Sequence, residues 1–311
     1  MKTHAFPVFA ILLASLCVPA SLHAILAGDE TGTPADSPAN RVDTADVFTG
    51  VGAVSTSGSG KGSCTALSSN WVLTAAHVVN GVGSVTVYFT VGGVTTSYTS
   101  TQYYTYNYNG DTYNASTHDY DVALVYIGGG LASNIDTYSL YAGSLSTTTG
   151  ANNGSTLTLV GYGQSGYGDV GVSVALSQDT RRVGANVVDT LGDLDGTECV
   201  FYQMDFDDDA TFGQAGGSLG NDVETTLAVG DSGGPALIYV DGEYKVAGVN
   251  TLVSYEDSSS SLYGTYAFGI TTGSVSDWIN NTMATVPEPA SYALALGLCG
   301  IILVCLRRKR R

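Results

Sequence analysis

Apolar and polar residues alternate over short stretches along most of this chain, and glycine-centred turns separate the stretches. Val47 to Ser55 reads as a first strand, followed by a glycine-serine turn from Ser57 to Lys61. Cys64 to His77 runs strand, turn, strand. Val85 to Val91 and Val94 to Thr101 form a hairpin across Gly92-Gly93, because paired glycines supply the positive φ of primed turns. Further strands are predicted at Leu157 to Gly163, Ala236 to Tyr239, Tyr244 to Leu252 and Tyr263 to Phe268, with the Asp241-Gly242 turn joining the middle pair. Only Ser274 to Thr282 has helical spacing, with Val275, Trp278 and Ile279 on one face and Ser274 as its cap. The pattern therefore predicts an all-β chain with a short C-terminal helix. Residues 164 to 220 give no clear pattern.

The two ends break the alternation. Near the start, Lys2 and His4 precede an apolar run from Phe6 to Val18 and then small residues, the layout of a secretory signal peptide over residues 1–24. Cleavage after Ala20 and after Ala24 both fit. Near the other end, Val286-Pro287-Glu288-Pro289 precedes an apolar segment from Ala290 to Leu306, about 25 Å long as a helix and just enough to span a bilayer. Arg307-Arg308-Lys309-Arg310-Arg311 follows and predicts a cytoplasmic C-terminus. That leaves residues 25–285 as the folded domain.

Composition sharpens this. Apolar residues make up 44% of the chain, too many for a disordered protein. Outside the two terminal segments only Arg41, Lys61, Arg181, Arg182 and Lys245 oppose 27 of the chain's 28 acids. Such a charge repels nucleic acid and excludes it as a partner. Of five cysteines, only Cys64 and Cys199 lie in the domain, and whether they pair depends on a distance the sequence does not give. Asp205, Asp207 and Asp209 have the one-three-five spacing of a calcium loop, but Ala210 stands where that loop needs glycine and no Glu occupies the twelfth position. An EF-hand is excluded; a calcium site of another kind and a solvated acidic turn remain.

Candidate chemistry centres on Gly230-Asp231-Ser232-Gly233-Gly234-Pro235. A serine hydroxyl needs a neighbouring base and donors for the developing oxyanion before it becomes a nucleophile. Thr74-Ala75-Ala76-His77 and Asp121-Val122-Ala123-Leu124 lie upstream and offer a base and an orienting carboxylate. Asp119 competes with Asp121 for that role; Asp121 directly precedes the apolar run, and Asp119 and His118 read as surface residues.

These three stretches, in the order His, Asp, Ser, resemble the signature segments of the trypsin/chymotrypsin-like serine proteases, and the resemblance covers residues 25 to 282. It implies two six-stranded antiparallel Greek-key β-barrels, with the crossover over residues 128 to 156, and a serine endopeptidase acting on polypeptides without cofactor or catalytic metal. His77, Asp121 and Ser232 would be the catalytic triad, and the N–H groups of Gly230 and Ser232 the oxyanion hole. The primary pocket would have Thr226 at its floor, six residues before the nucleophile, and Gly264 on its wall. No acid stands at that floor, so an apolar or small residue before the scissile bond is expected rather than Arg or Lys. The family's cysteine after the catalytic histidine is Val78 here, and Asn250-Thr251-Leu252-Val253 replaces its usual substrate-pairing edge. Cleavage after Ala24 would free Ile25, whose α-ammonium would pair with Asp231 as in activated members; otherwise Ile25 is simply the first ordered residue and Asp231 has another partner. The tyrosines between Tyr98 and Tyr113 either line the cleft, as the loop before the catalytic Asp does in the family, or form one exposed face of a strand pair.

The C-terminal box, span and basic cluster resemble the PEP-CTERM sorting signal of Gram-negative bacteria. This implies export to the periplasm, cell surface or outside, with signal peptidase and an exosortase-type membrane protease as processing partners. The C-terminal helix would then be a transient inner-membrane anchor; a permanent anchor is the alternative. Two rival functions remain: a catalytically idle member acting in an extracellular matrix, and an ester hydrolase using the same residues.

Overall fold

The computed structural model describes residues 25–28, 41–147, 154–193, 199–207, 219, 223–254 and 263–285. The expected leader over residues 1–24 and tail over residues 286–311 lie outside these. No helix among the described residues is long and apolar enough to cross a membrane.

Among the described residues two large antiparallel sheets dominate the domain, beside a four-stranded sheet that includes Leu26–Ala27 and Thr225–Thr226 and a two-stranded hairpin. The first is ordered Val94–Ser100, Val85–Val91, Val51–Thr56, Lys61–Ala66, Trp71–Thr74, Ala123–Tyr126, Tyr103–Thr105. Its two edge strands, Val94–Ser100 and Tyr103–Thr105, are separated only by residues 101 and 102, a gap that the chain spans in about 10 Å. The sheet must therefore curl until its edges meet. The corner is bonded to the far edge, with Tyr126 N donating to Gln102 O at 3.0 Å and Ser100 Oγ to Tyr126 O at 2.6 Å.

The second sheet repeats the device. Its order is Arg182–Val187, Thr156–Gly161, Pro235–Val240, Glu243–Ser254, Tyr266–Thr271, Val200–Asp205, Thr190–Asp193. Arg182–Val187 and Thr190–Asp193 flank a bend at Val188-Asp189, whose amides donate to Ser155 O and Gln203 O on opposite edges. Each sheet thus has seven strands where six were expected, because one of six chain runs is broken by the bend that closes it. Numbered by chain run, both sheets have the same cyclic order: first, second, third, sixth, fifth, fourth. Such a double, curled sheet fits the trypsin-like pair of β-barrels.

Turn chemistry fixes the registers. Gly92 and Gly93, Asn109 and Gly110, and Asp241 and Gly242 all have positive φ, as two-residue primed turns require. Burial alternates along Val85–Val91 as the sequence predicts, while Trp71–Thr74 and Ala123–Tyr126 are buried throughout, so both of their faces are covered. The closing helix spans Thr272–Thr285, so it begins two residues before the predicted cap. Ser274 instead sits in its first turn and donates back to Thr271 O at 2.9 Å.

The tyrosines neither line the cleft as a group nor form an exposed face. Trp71 packs between Tyr104 and Tyr126, with centroids 5.7 and 5.1 Å away. Tyr106 is buried, stacks on Tyr120 at 4.4 Å and touches Trp278 of the helix at 5.2 Å. The aromatics tie the closing helix to the loop that carries Asp121. Cys64 and Cys199 are both buried and form no disulfide with each other. Three of the five basic residues of the domain, Arg41, Arg181 and Arg182, are also buried. Arg181 pairs with Asp43 and Asp46 at 2.8 Å each and donates to Thr90 O, joining the N-terminal segment to the first sheet.

Candidate active site

The seam between the sheets gathers the residues that the motifs single out. Trp71–Thr74 runs through Ala75 into a single helical turn, Ala76–Val79, which presents His77. Ala75 and Ala76, next to His77, are both buried, and Asp121 lies just before the strand Ala123–Tyr126 that pairs with Trp71–Thr74. The loop before Asp121 is tight: His118 and Tyr120 both have positive φ, at 61° and 51°. Such conformations cost energy in non-glycine residues and persist where the surroundings hold them. Here they aim a fully buried carboxylate back at His77.

Asp121 grips His77 twice. Oδ1 accepts from the His77 backbone N–H at 2.8 Å, and Oδ2 meets Nδ1 at 2.6 Å. The ring proton is accordingly assigned to Nδ1, which leaves Nε2 as an acceptor. Burial alone would raise the Asp121 carboxyl, but bonds from His118 and His77 outweigh it and hold the group below the usual carboxylate range. The second donor is a residue that the sequence reading placed at the surface. His118 Nδ1 lies 3.1 Å from Asp121 Oδ2, and its ring meets His77 edge-on with centroids 5.5 Å apart. Asp119, the competing acid, is buried too, but accepts from Thr117 within its own loop.

The hydrogen bond to Asp121 pushes the His118 pKa up, against the opposing effect of burial. A raised imidazole pKa stabilises the fold fully below the ordinary value of about 6.5, and that contribution fades as pH rises through the raised value. His118→Ala is therefore expected to lower the melting temperature at pH 5 and to leave it nearly unchanged at pH 9, read by thermal denaturation across pH. A loss of equal size at both would mean that His118 acts by packing alone.

Ser232 comes from the second sheet. Its carbonyl accepts from Ser63 N of the first sheet at 2.8 Å, which stitches the two halves together at the nucleophile. Gly233, at φ +84°, packs so close to Ser63 and Thr74 that any Cβ would collide with backbone. Ser232 Oγ donates to Thr251 O at 3.2 Å, and no hydrogen bond joins it to His77 among the described residues. Both side chains nevertheless line one cavity of about 240 Å³. The amides of Asp231 and Gly233 donate to Ala228 O and Asn250 O, whereas those of Gly230 and Ser232 make no hydrogen bond among the described residues. Asp231 is fully buried and accepts from Gly163 N and Ala228 N at 2.9 Å each. Burial pushes its carboxyl up to about 7, against those two bonds and the Arg182 charge.

The cavity wall beside Ser232 includes Leu227, Ala228 and Val229 together with Thr251, Leu252 and Val253, and Lys61 lines it as well. Thr226 and Gly264 do not line it. Thr226 is buried in the strand paired with Leu26, and Gly264 sits at φ +85° with open space where a Cβ would be. Ile25 is also buried, and its carbonyl accepts from Ser165 Oγ at 2.8 Å.

Among the described residues, two groups of side chains have metal-ligand spacing. His77, His118 and Asp121 offer atoms within 4.8 Å of one another, already engaged in the hydrogen bonds above; Asp205, Asp207 and Glu224 form the other group.

No curated protein matches the chain. The Trypsin family model matches residues 42–279, which takes in both sheets, most of the closing helix and all three signature segments. The chain therefore belongs to the trypsin family and is a serine-type peptidase in general class.

Proposed function

We propose that the protein is an exported serine endopeptidase that cleaves polypeptides through an acyl-enzyme formed on Ser232. The observation that carries this reading is the double grip of Asp121 on His77, at 2.8 and 2.6 Å, in the cavity that Ser232 shares. Ser232 Oγ turns from Thr251 O towards His77 Nε2 and attacks the peptide carbonyl. His77 takes the hydroxyl proton, and Asp121 stabilises the resulting imidazolium. The unengaged amides of Gly230 and Ser232 receive the oxyanion; losing one such donor costs about 10²–10³ in turnover. His77 then protonates the leaving amine, and water releases the acyl group by the reverse path.

An apolar or small residue is preferred before the scissile bond, because Leu227, Ala228, Leu252 and Val253 line the cavity and no acid does. Thr226 keeps a part in specificity from behind the wall, because Leu227 and Ala228 follow it directly.

Activation follows cleavage after Ala24. Ile25 is β-branched and has φ +81°, a strained conformation. That angle describes rotation against the preceding residue, so cleavage removes the strain while freeing an α-ammonium. Asp231, raised to about 7 in the uncut chain, is the carboxylate such a cation would serve. Arg182, whose charge already favours ionised Asp231, is the alternative partner. A mature N-terminus at Ile25 supports the activation reading; Ser21, or a residue well past Ile25, overturns it. Residues 286–311 act as a PEP-CTERM sorting signal cut by an exosortase-type protease, in keeping with their box, apolar segment and basic end.

The test of the main reading is a fluorophosphonate probe on folded, processed protein. Labelling at Ser232 that disappears in Ser232→Ala is expected, together with faster cleavage after Ala or Leu than after Arg. Folded protein that takes up no label is not this enzyme.

A further inference from the structure

Beside the second sheet lies a cluster of acids that the proposed catalysis does not use. Asp205 ends the strand Val200–Asp205, Asp207 follows two residues later, and Glu224 immediately precedes the strand Thr225–Thr226. Their side chains are all buried, so the solvated acidic turn open to the sequence reading does not form at Asp205 and Asp207; Asp209 lies outside the described residues. One carboxylate oxygen from each lies within 4.8 Å of the others. Asp205 is 4% exposed, and its Oδ1 has no hydrogen-bond partner among the described residues.

Buried carboxylates ordinarily pair with cations or coordinate metals. The charged neighbours that act on Asp205 are instead further acids, Asp189, Asp207 and Glu224. Burial, then the bond to Asp189 and the surrounding charges, push Asp205 up to about 8, and burial pushes Glu224 up to about 7. The backbone around the cluster is fixed. Glu224 accepts from Asp207 N and Leu219 N at 2.9 Å each, and Asn186 Nδ2 donates to both Asp205 O and Thr225 O at 2.7 Å. The carboxylates are thus held together by a frame that does not neutralise them.

We infer that Asp205, Asp207 and Glu224 bind a divalent cation of the calcium type. Calcium takes oxygen ligands at about 2.3–2.6 Å, so ligands on opposite sides of one ion stand about 4.6–5.2 Å apart, and the observed spacing fits a single coordination sphere. Glu224 leads directly into Thr225, Thr226, Leu227 and Ala228, so the ion braces the segment that forms one wall of the cavity beside Ser232. The site is independent of the triad and does not rest on the proposed reaction.

The test uses the full chain carrying Ser232→Ala, which prevents self-digestion, after treatment with chelator at neutral pH. Calcium alone at about 1 mM, within the affinity range of extracellular modules, is expected to release or absorb heat in calorimetry and to raise the melting temperature by about 5 °C. In Asp205→Asn/Glu224→Gln the calcium-free melting temperature should rise, since carboxyls that must be desolvated or protonated to be buried have been removed, and the calcium shift should vanish. Should the double variant fail to fold, Glu224→Gln alone decides on the same two readouts. A chain with no heat and no shift in calcium overturns the inference, as does an equal shift in the amide variant, which would place the ion elsewhere.

Discussion

Replacing Ser232 with alanine is expected to lower kcat on a peptide substrate by about 10⁶-fold, with little change in KM. The side chain makes one hydrogen bond, to Thr251 O at 3.2 Å, so its loss costs the fold only about 1 kcal/mol. The effect is thus chemical rather than structural, and the melting temperature should barely move. His77→Ala should lose as much activity, because a hydroxyl without a base is as inert as no hydroxyl. The double variant should be no worse than either single one: groups that act as a unit cannot be removed twice. What remains above the uncatalysed rate would come from the Gly230 and Ser232 amides and from substrate binding. Rates measured on protein whose folding is checked by thermal denaturation test this. Losses that multiply in the double variant would mean that Ser232 and His77 act independently.

Much of this site was legible in the sequence, because its signals are local. The Gly-Asp-Ser-Gly-Gly-Pro stretch states its own geometry: Gly233 has positive φ and packs where a Cβ would strike backbone. The hairpins at Gly92-Gly93 and Asp241-Gly242 were readable for the same reason, since primed turns demand those residues. What escaped depends on contacts between distant parts of the chain. His118 looks like a loop residue until the positive φ at 118 and 120 turns the loop onto Asp121. Arg181 looks like surface charge, yet its guanidinium is satisfied by Asp43 and Asp46, more than a hundred residues earlier. The cluster at Asp205 needs Glu224 to close it, and nothing in the spacing predicts that pairing. The seventh strand of each sheet follows from bends at 101–102 and 188–189, where no glycine or proline marks the break.

Asp121→Asn is expected to lower kcat by about 10⁴-fold while leaving the fold intact, because the amide has nearly the shape of the carboxylate. Asp121 accepts three hydrogen bonds, from His77 N, His77 Nδ1 and His118 Nδ1. An amide offers one acceptor and one donor group, so it cannot satisfy all three. If the carbonyl stays with His77 N–H, the NH₂ faces both rings and forces His77 into the tautomer with its proton on Nε2. That nitrogen can then no longer take the proton from Ser232. If the amide flips, the ring tautomer is kept but the NH₂ opposes the His77 backbone N–H, and the turn carrying His77 is pushed away. Either arrangement impairs the base, and both remove the negative charge that stabilises imidazolium. His118 supplies an independent readout: its pKa, held up by the Asp121 carboxylate, should fall towards the ordinary imidazole value, followed by NMR titration. Asp119→Asn, which touches neither ring, should change kcat by no more than a few fold. A small loss in Asp121→Asn with a large one in Asp119→Asn would reassign the orienting role. A large loss in Asp121→Asn with the His118 titration unmoved would mean that the bond between them does not form in solution.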